Sequence, residues 1–401
     1  MKTLKLFIFG LLISQLSPAQ NTKVMKSAIK NPNLNTAAFS SKKMTGFNPL
    51  VHGFKFINSF AGIDASQNYG GLCGGMVYSA LDYYNSHIQI PQQAYTPANR
   101  YPLQSYIYKR QAKAAQEGNW DKWGEMMFNP EGARNSEFFG WGLEMKNPGD
   151  RMNELKANID AGRPVPLGLK QNNDADKYGY KKRGDHFVLA VGYDFGRYKG
   201  DKGDFIEDFK IFIYDPNHPG FLMTMVADPA HNIYHYTEPD DSGKTDAWLA
   251  YFVDSKYDAK TPPLIPTLNP RSTIYAFIGT GQDDLRGGND NLNITVVYRD
   301  GTRQSFPYIN LGATWIPDYE EVVPLQLNRE LPDKFLIKEI ILETTFGGGI
   351  GGDNWDMTNF KITTSDLNNI LIDRTGTFER KGFLLVKRFT GDDRSLTIPM
   401  Q

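Results

Sequence analysis

One cysteine, Cys73, is all the thiol this 401-residue chain possesses. It cannot form an internal disulfide, so oxidative stapling is excluded as a source of stability. An excess of either charge is missing too: 44 Lys and Arg face 45 Asp and Glu, a formal net charge of -1. A near-neutral chain with no long basic stripe exerts no bulk pull on polyanions, and nucleic acid is not an expected partner. Apolar runs of about 18 residues, the length that spans a bilayer, do not occur. Internal repeats and low-complexity tracts are likewise missing. The chain does have a globular balance, with 40% hydrophobic and 13% aromatic residues, enough for two or three cored domains.

The N-terminus has the grammar of an export signal. Lys2 and Lys5 precede the apolar "LFIFGLLI" (6–13), and "SQLSPAQ" then offers Ser17 and Ala19 as small residues at a cleavage site. Residues 1–19 are therefore expected to be a signal peptide of bacterial style. The mature protein is expected to be secreted, extracellular or periplasmic. No cysteine follows the apolar core, so a lipoprotein signal is not expected. Residues 20–50 are polar and without period; they read as a flexible segment or a pro-segment, and the sequence does not separate the two.

Residues 51–257 mix helix and strand signals, and residues 258–270 carry Pro262, Pro263, Pro266 and Pro270. Prolines that dense exclude regular structure and predict a semi-rigid linker. Beyond it, residues 271–401 are nearly all strand and turn, with "RDGT" (299–302) as an Asp-Gly hairpin signal, and an antiparallel β-sandwich is expected. An aromatic stretch, about residues 91–150, is read as a helical insertion. Its Tyr101, Tyr106, Tyr108, Trp120, Trp123, Phe128, Phe138, Phe139 and Trp141 form either a subdomain core or a substrate wall, and the core is favoured because aromatics mostly bury area.

Cys73 lies in "QNYGGLCGGMVYSALDYY", where Met76, Ala80, Leu81 and Tyr84 repeat at helical spacing. A thiol at a helix N-terminus meets unpaired amides and the positive end of the macrodipole, which favour the thiolate. Gly70, Gly71, Gly74 and Gly75 would leave the backbone open to a substrate. Gln67, in the preceding loop, is placed to donate to an oxyanion together with the Cys73 backbone N–H. His186 opens the strand "DHFVLAVGYD", and Asp215 closes the next strand, "FKIFIYD". A symmetric hairpin centred near Gly200 and Asp201 would set His186 directly opposite Asp215, where a carboxylate can fix the imidazole tautomer. Asn217, two residues on, is the alternative third member. His231 and His235 are four apart but lack the Glu of a zinc-protease helix.

The order of Gln67, Cys73 on a helix, His186 on a strand and Asp215 in "YDPN" resembles the papain-like cysteine peptidases, nearest the bacteriocin-processing type. The resemblance covers about residues 60–220, including "AGRPVPLGL" (161–169) before the histidine strand, although "CGGM" departs from papain's small-then-aromatic pattern after the cysteine. It implies an α+β chain, a papain-like cysteine peptidase domain followed by an antiparallel β-sandwich domain. It further implies a secreted thiol hydrolase that cuts peptide or amide bonds through Cys73, His186, Asp215 and Gln67, with no cofactor required. Two alternatives share this sequence: a non-catalytic adhesin or binding protein with a degenerate papain-like domain, and a deamidase or transglutaminase.

The loops "GTGQDDLRGGNDNLNITV" (279–296) and "FGGGIGGDNWDMTNFKI" (346–362) loosely resemble those of PLAT-type β-sandwiches. Asp283, Asp284, Asp290 and Asp353 are weak candidate ligands for a structural Ca2+. Such an accessory domain would bind a surface, lipid or glycan, or else simply stabilise. Expected partners are a peptide or protein substrate, with the chain a monomer.

Overall fold

The computed structural model describes residues 41–60, 71–117, 120–331, 336–347, 353–365 and 367–400. The expected signal peptide and Gln67 lie outside these residues. Among the described residues, the α-helices of the first body are α1 (Pro49–His52), α2 (Cys73–Asn85), α3 (Pro102–Ala112), α4 (Trp120–Met127), α5 (Asn135–Trp141) and α6 (Arg151–Asp160). Its strands are β1 (Lys43–Met44), β2 (Val165–Gln171), β3 (Lys181–Lys182), β4 (His186–Asp194), β5 (Lys210–Tyr214), β6 (Met223–Asp228), β7 (Ile233–Tyr236) and β8 (Asp246–Val253). Antiparallel pairing runs round a closed ring, from β4 to β2, β8, β7, β6 and β5 and back to β4.

Closure leaves β4 buried on both faces, which explains its continuous apolar run. Phe187, Leu189 and Val191 pack towards α2 and α3, while Val188 and Ala190 pack with Met152, Leu155 and Ile159 of α6. The sequence pattern gives α2 one apolar face, but the structure buries it nearly all round, from Gly74 to Tyr83. Met76, Val77 and Leu81 are each at most 1% exposed, and each such side chain contributes roughly 1.5–3 kcal/mol of burial. Helix α6 stops where punctuation predicts. Gly162 sits at φ 76°, its N–H donates to the Ile159 carbonyl and the Arg163 N–H to that of Asn158, a left-handed stop that glycine adopts without strain.

One expectation needs adjustment. Residues 41–50, the end of the stretch expected to be flexible, are ordered: β1 pairs with Tyr193 and Gly192 of β4, and α1 is capped by the Asn48 side chain. In the aromatic insertion, Phe138 and Phe139 are buried, Trp123 meets Phe187 and Phe252 edge-on, and Phe128 is exposed. Tyr101, Tyr108, Trp123 and Trp141 pack half-buried against the hydrophobic cores.

The second body has strands β9 (Thr273–Thr280), β10 (Leu292–Tyr298), β11 (Arg303–Phe306), β12 (Tyr319–Gln326), β13 (Ile337–Thr344), β14 (Trp355–Thr364), β15 (Ile370–Thr375), β16 (Phe378–Arg380), β17 (Phe383–Leu385), β18 (Lys387–Phe389) and β19 (Ser395–Pro399). One sheet runs β11-β10-β13-β19 and the other β12-β9-β14-β15, with β18 on β14. Ile278, Val296, Trp315, Ile340 and Trp355 fill the core these sheets share. The insertion docks here as well. Tyr101 Oη donates to the Ile309 carbonyl at 3.0 Å, Tyr95 packs on Tyr275, and the Asn99 N–H points to Glu321 Oε2 at 3.4 Å.

Candidate functional site

Cys73 is the first residue of α2, and the N-cap residue, Leu72, offers no side-chain cap. The thiol is only partly buried. The tip lies at the start of β4, where the backbone N–H groups of Gly74 and Phe187 favour the charged form of the sulfur. The neighbouring glycines have a different purpose from the open approach expected of them. A Cβ on Gly75 would lie 2.1 Å from the Ile107 carbonyl oxygen, and one on Gly74 would lie 2.8 Å from Ala114 Cβ. These two glycines admit α3 and the segment after it to the helix tip. Gln111 uses the same proximity, accepting the Gly75 N–H at 2.8 Å. Gly70 lies outside the described residues.

His186 is 5% exposed and Asp215 is fully buried. His186 Nε2 lies 2.7 Å from Asp215 Oδ1, which leaves Nδ1 for the cysteine sulfur. The two residues are nevertheless not opposite one another. β4 pairs Leu189 with Tyr214 and Ala190 with Ile213, a register that carries Asp215 opposite Val188. His186 and Asp215 are diagonal neighbours on one face, still within side-chain reach. The symmetric hairpin fails because the connection is not a tight turn: it holds a 3-10 turn at Ile206–Asp208, Asp201 bridges to Glu144, and β4 shifts register between Ala190 and Gly192.

The rest of the Asp215 carboxylate is satisfied. Oδ1 also accepts the Asn217 N–H at 2.7 Å, and Oδ2 accepts Tyr236 Oη–H at 2.7 Å. Trp248 lies parallel to the imidazole with ring centroids 6.1 Å apart. His218 stands behind, paired through Nε2 with Asp246 Oδ2 at 3.0 Å, and Arg183 Nε donates to Asp246 Oδ1 at 2.7 Å.

Charges in this dry setting couple strongly. Burial alone would lower the His186 pKa, but Asp215 and the cysteine sulfur outweigh it and push it up to about 10. Burial likewise opposes ionisation of Cys73, yet the His186 charge and hydrogen bond, with the two backbone N–H donors, bring its pKa down. Burial would raise Asp215 as well; His186 reverses that and holds it well below the usual carboxylate range. Opposite shifts on adjacent groups favour a thiolate–imidazolium pair backed by a carboxylate.

The structure thus brings Cys73, His186 and Asp215 together. Asn217 is present too, with Nδ2 3.3 Å from His186 Nε2, but its amide oxygen is taken by Asn58 Nδ2 at 3.2 Å. It presents a donor to the ring where a third member accepts. Asn58 and Tyr236 were not legible as site residues, since neither sits in a motif and each reaches the site from a distant stretch of chain.

The acidic loops of the sandwich gather no metal site: among the described residues, no group of three or more His, Cys, Asp or Glu side chains could hold an ion. Asp283 pairs with Arg388 at 2.8 Å, Asp290 with Arg286 at 2.6 Å, and Asp353 accepts the Arg286 N–H at 2.9 Å. Burial raises the Asp284 carboxyl. Nor do His231 and His235 share a site: His231 pairs with Asp228, and His235 bonds the Tyr236 carbonyl.

No family model and no curated protein matches the chain. Among solved structures, Clostridium perfringens alpha-toxin from an avian strain is similar at 15% identity over 32% of this chain and 31% of that one, with a TM-score of 0.25. The alpha toxin of Clostridium absonum is similar at 16% identity over 30% of each chain, TM-score 0.24, and a LOX variant at 16% identity over 32% and 16%, TM-score 0.22. The match therefore spans about a third of the toxins' length and less of the LOX chain.

Proposed function

We propose that this protein is a secreted thiol hydrolase that cleaves peptide or amide bonds, with residues 51–257 as a papain-like catalytic domain and the sandwich as an accessory domain. The observation that carries this reading is the contact chain from the Cys73 sulfur through His186 to the buried Asp215. In the proposed reaction the Cys73 thiolate attacks the acyl carbon, and charge builds on the carbonyl oxygen beside the Cys73 backbone N–H. As the tetrahedral adduct collapses, the C–N bond breaks. The imidazolium Nδ1–H of His186 protonates the leaving amine, and a thioester remains. Neutral His186 then takes a proton from water, the hydroxyl adds to the thioester, and the released thiolate and imidazolium restore the pair. Asp215 keeps the ring oriented and stabilises its charged form.

Gln67 is proposed as a further oxyanion donor. Export, and a peptide or protein substrate, belong to the same proposal. The test compares iodoacetamide alkylation and peptide-library cleavage by wild type and Cys73→Ala. Alkylation at neutral pH well above that of a free thiol model, and cleavage abolished in the variant, are expected. Equal cleavage by both proteins would remove Cys73 from the role.

A further inference from the structure

The Asn217 amide touches the catalytic imidazole with its nitrogen, and this orientation is fixed from the other side of the site. A backbone N–H can only donate, and that of Leu72, just before the cysteine, donates to Asn58 Oδ1 at 2.7 Å. Asn58 must then turn its NH2 outward, and its Nδ2 lies 3.2 Å from Asn217 Oδ1. With its oxygen committed, Asn217 has only an NH2 to offer His186 Nε2, at 3.3 Å. The Asn58 main-chain N–H also donates to the Pro216 carbonyl at 3.1 Å, which locks the pair of loops together.

An NH2 facing Nε2 acts differently on the two states of the ring. Nε2 keeps its proton, donated to Asp215 Oδ1, whether or not Nδ1 carries one, so the positive end of the Asn217 amide faces the ring in both states. A positive dipole end beside the ring costs more when the ring is charged than when it is neutral, which opposes the effect of Asp215.

We infer that Asn58 and Asn217 form a polarity-locked amide relay that limits how tightly the Asp215–His186 pair retains its proton. The inference rests on the function proposed above. It names two positioning residues that tune His186 as a proton donor to the leaving amine. The other groups around the ring are the Cys73 sulfur, Asp215 with Tyr236 and His218 behind it, the Asp246–Arg183 pair that holds His218, and the face of Trp248.

Asn58→Asp tests the polarity with almost no change of shape. One carboxylate oxygen keeps the Leu72 N–H, while the other now accepts from Asn217, which must flip and give its oxygen to Nε2–H. The readout is the alkaline limb of Cys73 alkylation by iodoacetamide against pH, in the full chain. That limb is expected to move up by about one pH unit, tenfold in proton affinity, and to move up in Asn217→Ala as well. If the new charge acted on the ring directly, Asn58→Asp would add its whole shift on top of Asn217→Ala. The relay requires that the double variant shift no further than Asn217→Ala alone. A limb that stays or falls in Asn58→Asp, or full additivity, overturns the relay. Should Asn58→Asp fail to fold, Asn217→Ala decides alone, with an unmoved or lowered limb counting against it. A wild-type profile with only an ordinary thiol titration would instead overturn the ion pair itself, and the proposed function with it.

Discussion

Removing the charge behind His186 is the most direct challenge to the electrostatic account. Asp215→Asn keeps the size of the side chain but strips the negative charge from a fully buried position. The new amide cannot serve every old partner. The Asn217 N–H and Tyr236 Oη–H both require acceptors, and His186 Nε2–H requires a third. The His186 pKa stands at about 10 in place of 6.5. At about 1.36 kcal/mol per unit that is roughly 5 kcal/mol shared between Asp215 and Cys73, and truncating one partner of a buried pair costs about 3–5 kcal/mol. We expect the variant to lose about 3 kcal/mol or more at pH 7 in urea unfolding. The sign with pH is fixed: a raised histidine contributes fully below 6.5, and its contribution disappears as pH rises through about 10. The variant's deficit should therefore shrink as pH climbs from 6.5 to about 10, and the alkaline limb of Cys73 alkylation should fall towards the ordinary histidine range. A loss below about 1 kcal/mol, the value of an exposed pair, or an unmoved limb would refute the reasoning.

Two further outcomes are expected. Gly75→Ala places a methyl 2.1 Å from the Ile107 carbonyl, so α3 must move. A cost of about 1–3 kcal/mol should appear as a lower thermal midpoint, and an unchanged midpoint would contradict the packing role given to this glycine. At the junction of the two bodies, Glu321 is buried with Oε1 unbonded, and burial raises its pKa to about 8, against only the opposing Asn99 N–H. The folded chain thus keeps a proton that the unfolded chain gives up near 4.5, and stability should decline as pH climbs from 4.5 to about 8 and level off beyond. Glu321→Gln should flatten that slope in pH-dependent melts, and an unaltered slope would contradict the protonated junction.

What the sequence determined by itself is local. Cys73 at a helix start, the Gly162 stop, the strands of His186 and Asp215, the proline-dense connector and the turn-rich sandwich follow from spacing and backbone preference, and these act over a few residues. What tertiary structure decided depends on contacts between distant stretches. The bulge in β4 and the long β4–β5 connection set His186 diagonal to Asp215, a register that cannot be counted from loop length. Asn58 and Tyr236 reach the site across 159 and 21 residues of chain, and the acidic loop residues found arginines where cations had been expected. Hydrogen-bond polarity and charge pairing depend on which groups the fold brings within about 3 Å, and that proximity exists only once the chain has closed on itself.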